Sequence, residues 1–146
     1  MTPKKKKNNN LKSAIEKLTT SPKRVFLLDG LGALLSAFFL FIIVSFFGQK
    51  FGLPDKALYL LLTLALTFSV YSLFCYYFRD KQWKLFLRAI LIANLLYIIL
   101  KIMILINNSN SVTILGFFYF TIEILIISII VMIEFKTINK YKNNLN

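Results

Sequence analysis

Glu123 is the residue of this sequence whose type and position most clearly suggest chemistry. It lies near the middle of an apolar stretch, residues 112–135, which reads VTILGFFYFTIEILIISIIVMIEF. A carboxylate that deep in hydrocarbon costs about 2.5–3.5 kcal/mol on insertion scales, so we expect Glu123 to face protein or water rather than lipid. Two uses of this acid are open. It could be the titrating group of a proton or cation relay or of a small polar-ligand site, or it could be a protonated group that hydrogen-bonds a neighbouring helix.

The side chains that could serve Glu123 lie on its own stretch and on the preceding one. Tyr119 and Glu134 stand at helical offsets that return to the face of Glu123, and Asn94 and Tyr97 share a face of the preceding stretch. Asn94 lies at about the same depth as Glu123. Because helices joined by a short turn pack as antiparallel neighbours, we predict that Asn94 donates to Glu123 and that a tyrosine adds a hydroxyl.

A second candidate pair connects the first and third apolar stretches. Asp29 and Arg88 each lie about four residues inside their stretch, which places both at about the same depth. We predict an Asp29–Arg88 ion pair, and the alternative is two charged side chains that reach the interface separately. Lys101, near the other end of the third stretch, is expected to anchor at the interface in that way.

Small residues continue the face of Asp29 along the first stretch. Gly32, Ala33 and Ser36 follow Asp29 at offsets of three, four and seven residues. Small side chains on one helical face let another helix approach closely. We therefore predict that these three residues form a close-packing face.

Four apolar stretches carry these residues and define the fold class. The chain has 146 residues and is 58% hydrophobic, with a mean hydropathy of +0.68; soluble domains are about 45–50% apolar. Each stretch is long enough as a helix to cross a hydrocarbon core of about 30 Å. We predict an all-α protein, a bundle of four transmembrane helices, at residues 25–47, 57–78, 85–106 and 112–135.

Basic, polar segments flank this membrane domain. Residues 1–24 are predicted to begin as a disordered lead and to continue as a short interfacial helix, because Leu11, Ile15 and Leu18 form an apolar stripe. An unstructured tail is the alternative for this helix. Residues 136–146 form a basic, Asn-rich tail.

The distribution of Lys and Arg predicts the orientation. Eight of the 18 lie in residues 1–24, three in residues 79–84 and three in residues 136–146, which makes fourteen on one side of four spans, while two lie on the other side. The positive-inside rule then places both termini in the cytoplasm. We expect the bilayer and its anionic headgroups as partners of the basic ends. Nucleic acid is not expected, because no segment outside the spans is large enough to fold.

The sequence offers little for enzyme chemistry. It has no histidine and a single cysteine, Cys75, so a zinc site of the usual type and an internal disulfide are excluded. It also lacks a nucleophile elbow and a Gly-rich phosphate loop. We expect no enzyme activity, no metal and no cofactor.

Three motifs resemble those of a group of small, uncharacterised bacterial four-span membrane proteins: DGLGALLSAF from Asp29, W-x4-R-x3-IAN-x2-Y from Trp83, and YF-x2-E from Tyr119. The resemblance covers residues 25–135 and implies no activity, substrate or cofactor. We expect a multi-pass protein of the bacterial inner membrane with a structural or accessory role beside a membrane-protein partner. The alternative is a small proton- or cation-coupled transporter or channel, built as a homodimer, with Glu123 as its titrating group.

Overall fold

The structure, a computed structural model, describes residues 12–78 and 81–143. Within these ranges the regular structure is entirely helical, which confirms the predicted all-α class. The predicted disordered lead and Leu11, the first residue of the predicted interfacial helix, lie outside the described residues. The elements are α1 (residues 12–19), α2 (Pro22–Ile42), a π-helical segment (Ile43–Phe47), α3 (Gly48–Phe51), α4 (Asp55–Tyr77), α5 (Trp83–Asn107) and α6 (Ile114–Asn143).

Four of these helical segments are long and apolar enough to cross a membrane: Pro22–Phe47, Asp55–Tyr77, Trp83–Asn107 and Ile114–Tyr141. They correspond to the four predicted spans. The main difference is at the last, because α6 continues through much of the segment predicted as a tail. Thr137 and Ile138 explain the continuation, since both are buried against the bundle.

The helices pack in two close pairs. α2 lies along α4 and α5 lies along α6, while less extensive contacts of α2 with α6 and of α4 with α5 complete the bundle. Gly30 brings the backbones of α2 and α4 together: an added Cβ would lie 2.9 Å from Leu73 Cδ2. Ser69 donates to the Gly30 carbonyl oxygen at 3.0 Å, so the close approach also satisfies a buried hydroxyl.

Both ends of the described chain lie at the same end of the bundle. The hydroxyl of Tyr141 donates to the carbonyl oxygen of Thr20 at 2.6 Å, and Lys140 Nζ donates to Thr20 Oγ1 at 3.2 Å. The turn between α4 and α5 is at this end as well, because Trp83 stacks edge-on against Tyr141 and Lys84 Nζ donates to the Tyr141 carbonyl oxygen at 3.2 Å. Basic side chains therefore collect at one end.

The opposite end of the bundle is stabilised by contacts between two connections, the one from α3 to α4 and the one from α5 to α6. α3 is followed by Gly52, whose φ of 69° is left-handed and whose added Cβ would clash with the Ser111 carbonyl oxygen. Thr113 Oγ1 donates to the Lys50 carbonyl oxygen at 2.6 Å and accepts from the Gly116 amide at 3.2 Å. The first bond attaches the residue before α6 to α3, and the second fixes Thr113 to the first turn of α6.

The bundle is apolar on its outer surface and polar at points in its interior. Large hydrophobic side chains are exposed along the spans, among them Phe46, Val70, Leu96 and Phe118. Asp29, Asn94, Lys101, Glu123 and Glu134 are buried instead. An exposed apolar surface of this extent, with the charges turned inward, suggests a membrane protein.

Candidate functional site

Buried polar side chains form two layers across the bundle. We call the first the two-acid layer; it consists of Asp29, Ser72, Asn94 and Glu134, one residue from each spanning helix. We call the second the ion-pair layer; it consists of Ser36, Lys101, Tyr119 and Glu123. The two-acid layer is nearer the end of the bundle where both ends of the described chain lie.

Helical periodicity positions both layers. Asp29 and Ser36 are seven residues apart on α2, and Asn94 and Lys101 are seven apart on α5. Seven residues are about two turns, so each pair lies on one face and is separated by about 10 Å along the axis. Asn94 and Tyr97 lie on one face of α5 as predicted, and Lys101 continues this face, because all three are buried.

In the two-acid layer a single amide group joins two carboxylates. Asn94 Nδ2 donates to Asp29 Oδ1 at 2.7 Å and to Glu134 Oε1 at 3.0 Å. Ser72 Oγ donates to the other oxygen of Asp29. Since the four side chains come from four helices, this network connects the whole cross-section of the bundle.

Among the described residues, no basic side chain balances the charge of this layer. Within residues 12–78 and 81–143, no Lys or Arg nitrogen lies within 4.0 Å of the carboxylate of Asp29 or of Glu134. The two carboxyl groups are close enough to hydrogen-bond each other once one of them carries a proton. Two adjacent buried carboxylates cannot both remain ionised at low cost, so this geometry suits a shared proton.

The ion-pair layer is balanced by a lysine. Lys101 Nζ lies 2.6 Å from Glu123 Oε2, and Ser36 Oγ donates to Glu123 Oε1. The ammonium group of Lys101 also lies 4.4 Å from the centroid of the Tyr97 ring, which adds a cation–π contact. The hydroxyl of Tyr119 is buried beside Glu123.

The predicted Asp29–Arg88 ion pair is wrong. Asp29 is buried and bonded to Ser72 and Asn94, while Arg88 is exposed. The two residues match in depth, but Arg88 stands six residues before Asn94 on α5 and is therefore about 120° away from the buried face of that helix. Equal depth in the bundle was therefore not enough to predict the partner of Asp29.

The predicted bond from Asn94 to Glu123 is also wrong. Asn94 donates to Asp29 and Glu134, and Glu123 pairs with Lys101. Lys101 is fully buried rather than anchored at the interface as expected. A buried carboxylate is far less costly beside a cation, which explains why the long lysine side chain turns inward.

The structure thus divides the predicted polar site. Glu123 and Tyr119 lie together, with Tyr97 donating to the Leu61 carbonyl oxygen nearby at 3.1 Å. Glu134 belongs with Asn94 in the other layer. Sequence reasoning missed Ser72; its position in an apolar stretch, three residues after Ser69, was the signal that could have found it.

The predicted close-packing face of Gly32, Ala33 and Ser36 lies toward α6. At Gly32 the approach is close, because an added Cβ would lie 3.0 Å from Ile130 Cδ1. Ala33 and Ser36, together with Gly32, line a cavity between the helices. The tightest backbone approach of α2 is instead at Gly30, against α4.

This cavity, which we call the central cavity, has a volume of about 310 Å³ and connects the two layers. Its polar lining comes from Asp29 and Asn94 on one side and from Ser36, Tyr97, Tyr119 and Glu123 on the other. The remaining lining is apolar: Gly32, Ala33, Leu35, Phe39, Ala65, Ile122, Ile126, Ile127 and Ile130. A second cavity of about 340 Å³ lies between α4 and α5 and reaches Asn94 from another side.

Neither layer resembles a metal centre of the usual kind. The described residues contain no group of three or more His, Cys, Asp or Glu placed to hold a metal ion. Cys75 is a free, half-buried thiol that packs against the apolar cluster around Val25 and Leu87.

Fold and site together define a class: an all-helical bundle of four apolar helices, each long enough to cross a membrane, with two buried polar layers and a cavity between them. Comparisons with protein-family models, curated proteins and solved structures found no match to the chain.

Proposed function

We propose that this protein is a multi-pass membrane protein that carries protons across the bilayer in exchange for, or together with, a small solute. The observation that carries the proposal is the two-acid layer. Asp29 and Glu134 are buried, come from different helices and share one amide donor. A buried acid pair that exchanges protons is typical of proton relays in membrane proteins.

The proposed titrating group is the pair Asp29 and Glu134 rather than Glu123. Glu123 has a lysine at 2.6 Å and is balanced as an ion. The groups that face the acid pair are the hydroxyl of Ser72 from α4 and the amide of Asn94 from α5. Neither carries a charge, so the protonation state of the pair responds directly to the proton concentration on the side from which it is reached.

The proposed location is the bacterial inner membrane, with both ends of the chain in the cytoplasm. The basic side chains at one end of the bundle, including Lys84 and Lys140, support this orientation through the positive-inside rule. A cytoplasm-active reporter fused after residue 146 should give signal, and the same reporter after Ser109 should not. The reverse result would overturn the orientation. The partners, a second copy of this chain or another membrane protein, stay predictions.

The test of function is proton flux into liposomes. Purified protein is reconstituted with a pH-sensitive dye inside, and a pH gradient, acidic outside, drives proton entry. Small cationic, anionic or neutral organic solutes are trapped inside the liposomes, or added outside, in separate samples as possible coupled solutes. We expect faster acidification than in protein-free liposomes, and we expect Asp29→Asn and Glu134→Gln each to abolish most of the difference. Both substitutions retain a side chain that can hydrogen-bond Asn94.

The matched control is Asp55→Asn, which removes an exposed acid at the start of α4. It should leave the flux unchanged. Flux equal to that of empty liposomes, or equal flux for wild type and Glu134→Gln, would contradict the proposal. The buried layers would then act as interhelical contacts, as expected of a structural or accessory protein.

A further inference from the structure

We infer that the central cavity binds one monovalent organic cation with an apolar body. The inference deepens the proposed function, on which it rests, by naming the chemical class of the solute. Three features of the cavity lead to it: its net charge, its apolar lining and its position beside α2 and α6.

The net negative charge of the bundle interior favours a ligand with a single positive charge. Glu123 is neutralised by Lys101, so the ion-pair layer contributes no net charge. When Asp29 and Glu134 share one proton, the two-acid layer contributes one negative charge, and Asp29 presents it to the cavity. One bound monocation would neutralise the interior, whereas an anion would add to an unbalanced buried charge.

The lining favours an apolar body on that cation. Apolar residues form most of the wall, and the rings of Phe39, Tyr97 and Tyr119 add aromatic faces. A volume of about 310 Å³ is at the lower end of the range for small-molecule sites. An ammonium group with an aromatic or alkyl substituent fits both the volume and the aromatic faces.

The cavity is reached from the side of the bundle. Leu35 and Phe39 of α2 and Ile122 and Ile126 of α6 line it and are also exposed on the outer surface. In a bilayer this opening faces lipid. A cation with an apolar body concentrates at the headgroup boundary and can enter there, while a strongly hydrated inorganic ion cannot.

Cation binding in the cavity would be coupled to protonation of the acid pair. A second proton on the acid pair makes the interior neutral and removes the attraction for a cation. One cation and one proton therefore compete for one negative charge, and cation binding should release up to one proton. This competition favours exchange over co-transport, the two modes that the proposed function allows.

The binding test compares benzyltrimethylammonium with phenylmethanesulfonate, which share a benzyl group and differ in charge. Isothermal titration calorimetry of the detergent-solubilised protein should show one site for the cation and none for the anion. Asp29→Asn should weaken cation binding at least about tenfold, because it removes the carboxylate that lines the cavity, and Glu134 does not line it. Repeating the titration in buffers of different ionisation enthalpy measures the released proton.

Two matched substitutions locate the site. Ala33→Phe fills the central cavity without changing a charge and should abolish binding, whereas Ala89→Phe introduces the same ring into the second cavity and should leave binding intact. If Ala33→Phe does not fold, as judged by circular dichroism, Ala33→Leu replaces it. Equal binding of the two benzyl ions, or unchanged binding in Asp29→Asn or in the Ala33 variant, would overturn the inference. Proton flux that depends on Glu134 without cation binding would overturn it while leaving the proposed function standing.

Discussion

The ion-pair layer and the two-acid layer each bury a glutamate of α6, but they neutralise it in different ways. Glu123 has a cation, Lys101, at 2.6 Å and a hydroxyl donor from Ser36. Glu134 has a second acid, Asp29, and shares with it the amide of Asn94. The first arrangement favours a fixed ionised state, and the second favours exchange of a proton. Burial alone therefore does not identify the acid that titrates.

The largest expected effect comes from removing one charge of the ion pair. Glu123→Gln leaves the buried ammonium group of Lys101 without its counter-ion and should destabilise the protein by about 3–5 kcal/mol. Lys101→Met combined with Glu123→Gln should recover most of this loss, because no unpaired charge remains. Denaturant unfolding in detergent, followed by circular dichroism, measures both. A double variant no more stable than Glu123→Gln would show that Lys101 and Glu123 do not act as a pair.

An intermediate effect is expected at the centre of the two-acid layer. Asn94→Leu keeps the approximate volume but removes the donor that Asp29 and Glu134 share. Leaving buried acceptors unsatisfied costs about 1–3 kcal/mol, which should appear in the same unfolding experiment. The matched control is Asn108→Leu in the turn after α5, where the half-buried side chain donates to the Ile104 carbonyl oxygen of its own helix, and this change should cost less. Equal losses of stability in the two variants would mean that the amide shared by Asp29 and Glu134 stabilises the protein no more than an ordinary hydrogen bond in a turn.

The smallest effect is expected from Glu134→Gln, the same substitution as in the first prediction but in the other layer. A glutamine can accept from Asn94 as the acid does, and it can also donate to Asp29 where the shared proton would have been. Stability should therefore change by less than about 1 kcal/mol. A loss as large as that of Glu123→Gln would remove the distinction between the two layers.

Much of the fold follows from the sequence, because each spanning helix is a long apolar stretch. The buried face of Asn94, Tyr97 and Lys101 also follows, since helical spacing alone puts the three residues together. Partners were harder to predict. Arg88 matched Asp29 in depth but not in direction, and Lys101 had the reach to turn either outward or inward. Which helices become neighbours decides these contacts, and that depends on packing at sites such as Gly30 rather than on spacing within one helix.

The end of α6 is a second feature that the sequence did not predict. Residues 136–143 contain several Lys and Asn residues, a composition typical of a solvated tail. They are nevertheless helical, because Thr137 and Ile138 are buried and Tyr141 contacts Trp83 and Thr20. Contacts with distant parts of the chain overrode the local composition.

The most direct test of the difference between the layers is infrared difference spectroscopy of the carboxyl groups at neutral pH. We predict that the wild-type protein shows the carbonyl stretch of a protonated carboxylic acid, and that Asp29→Asn and Glu134→Gln each remove it. The double variant Lys101→Met and Glu123→Gln should retain the band, because the ion-pair layer holds its acid ionised. A wild-type protein without the band, or a band that disappears only when Glu123 is replaced, would contradict the assignment of the shared proton to Asp29 and Glu134.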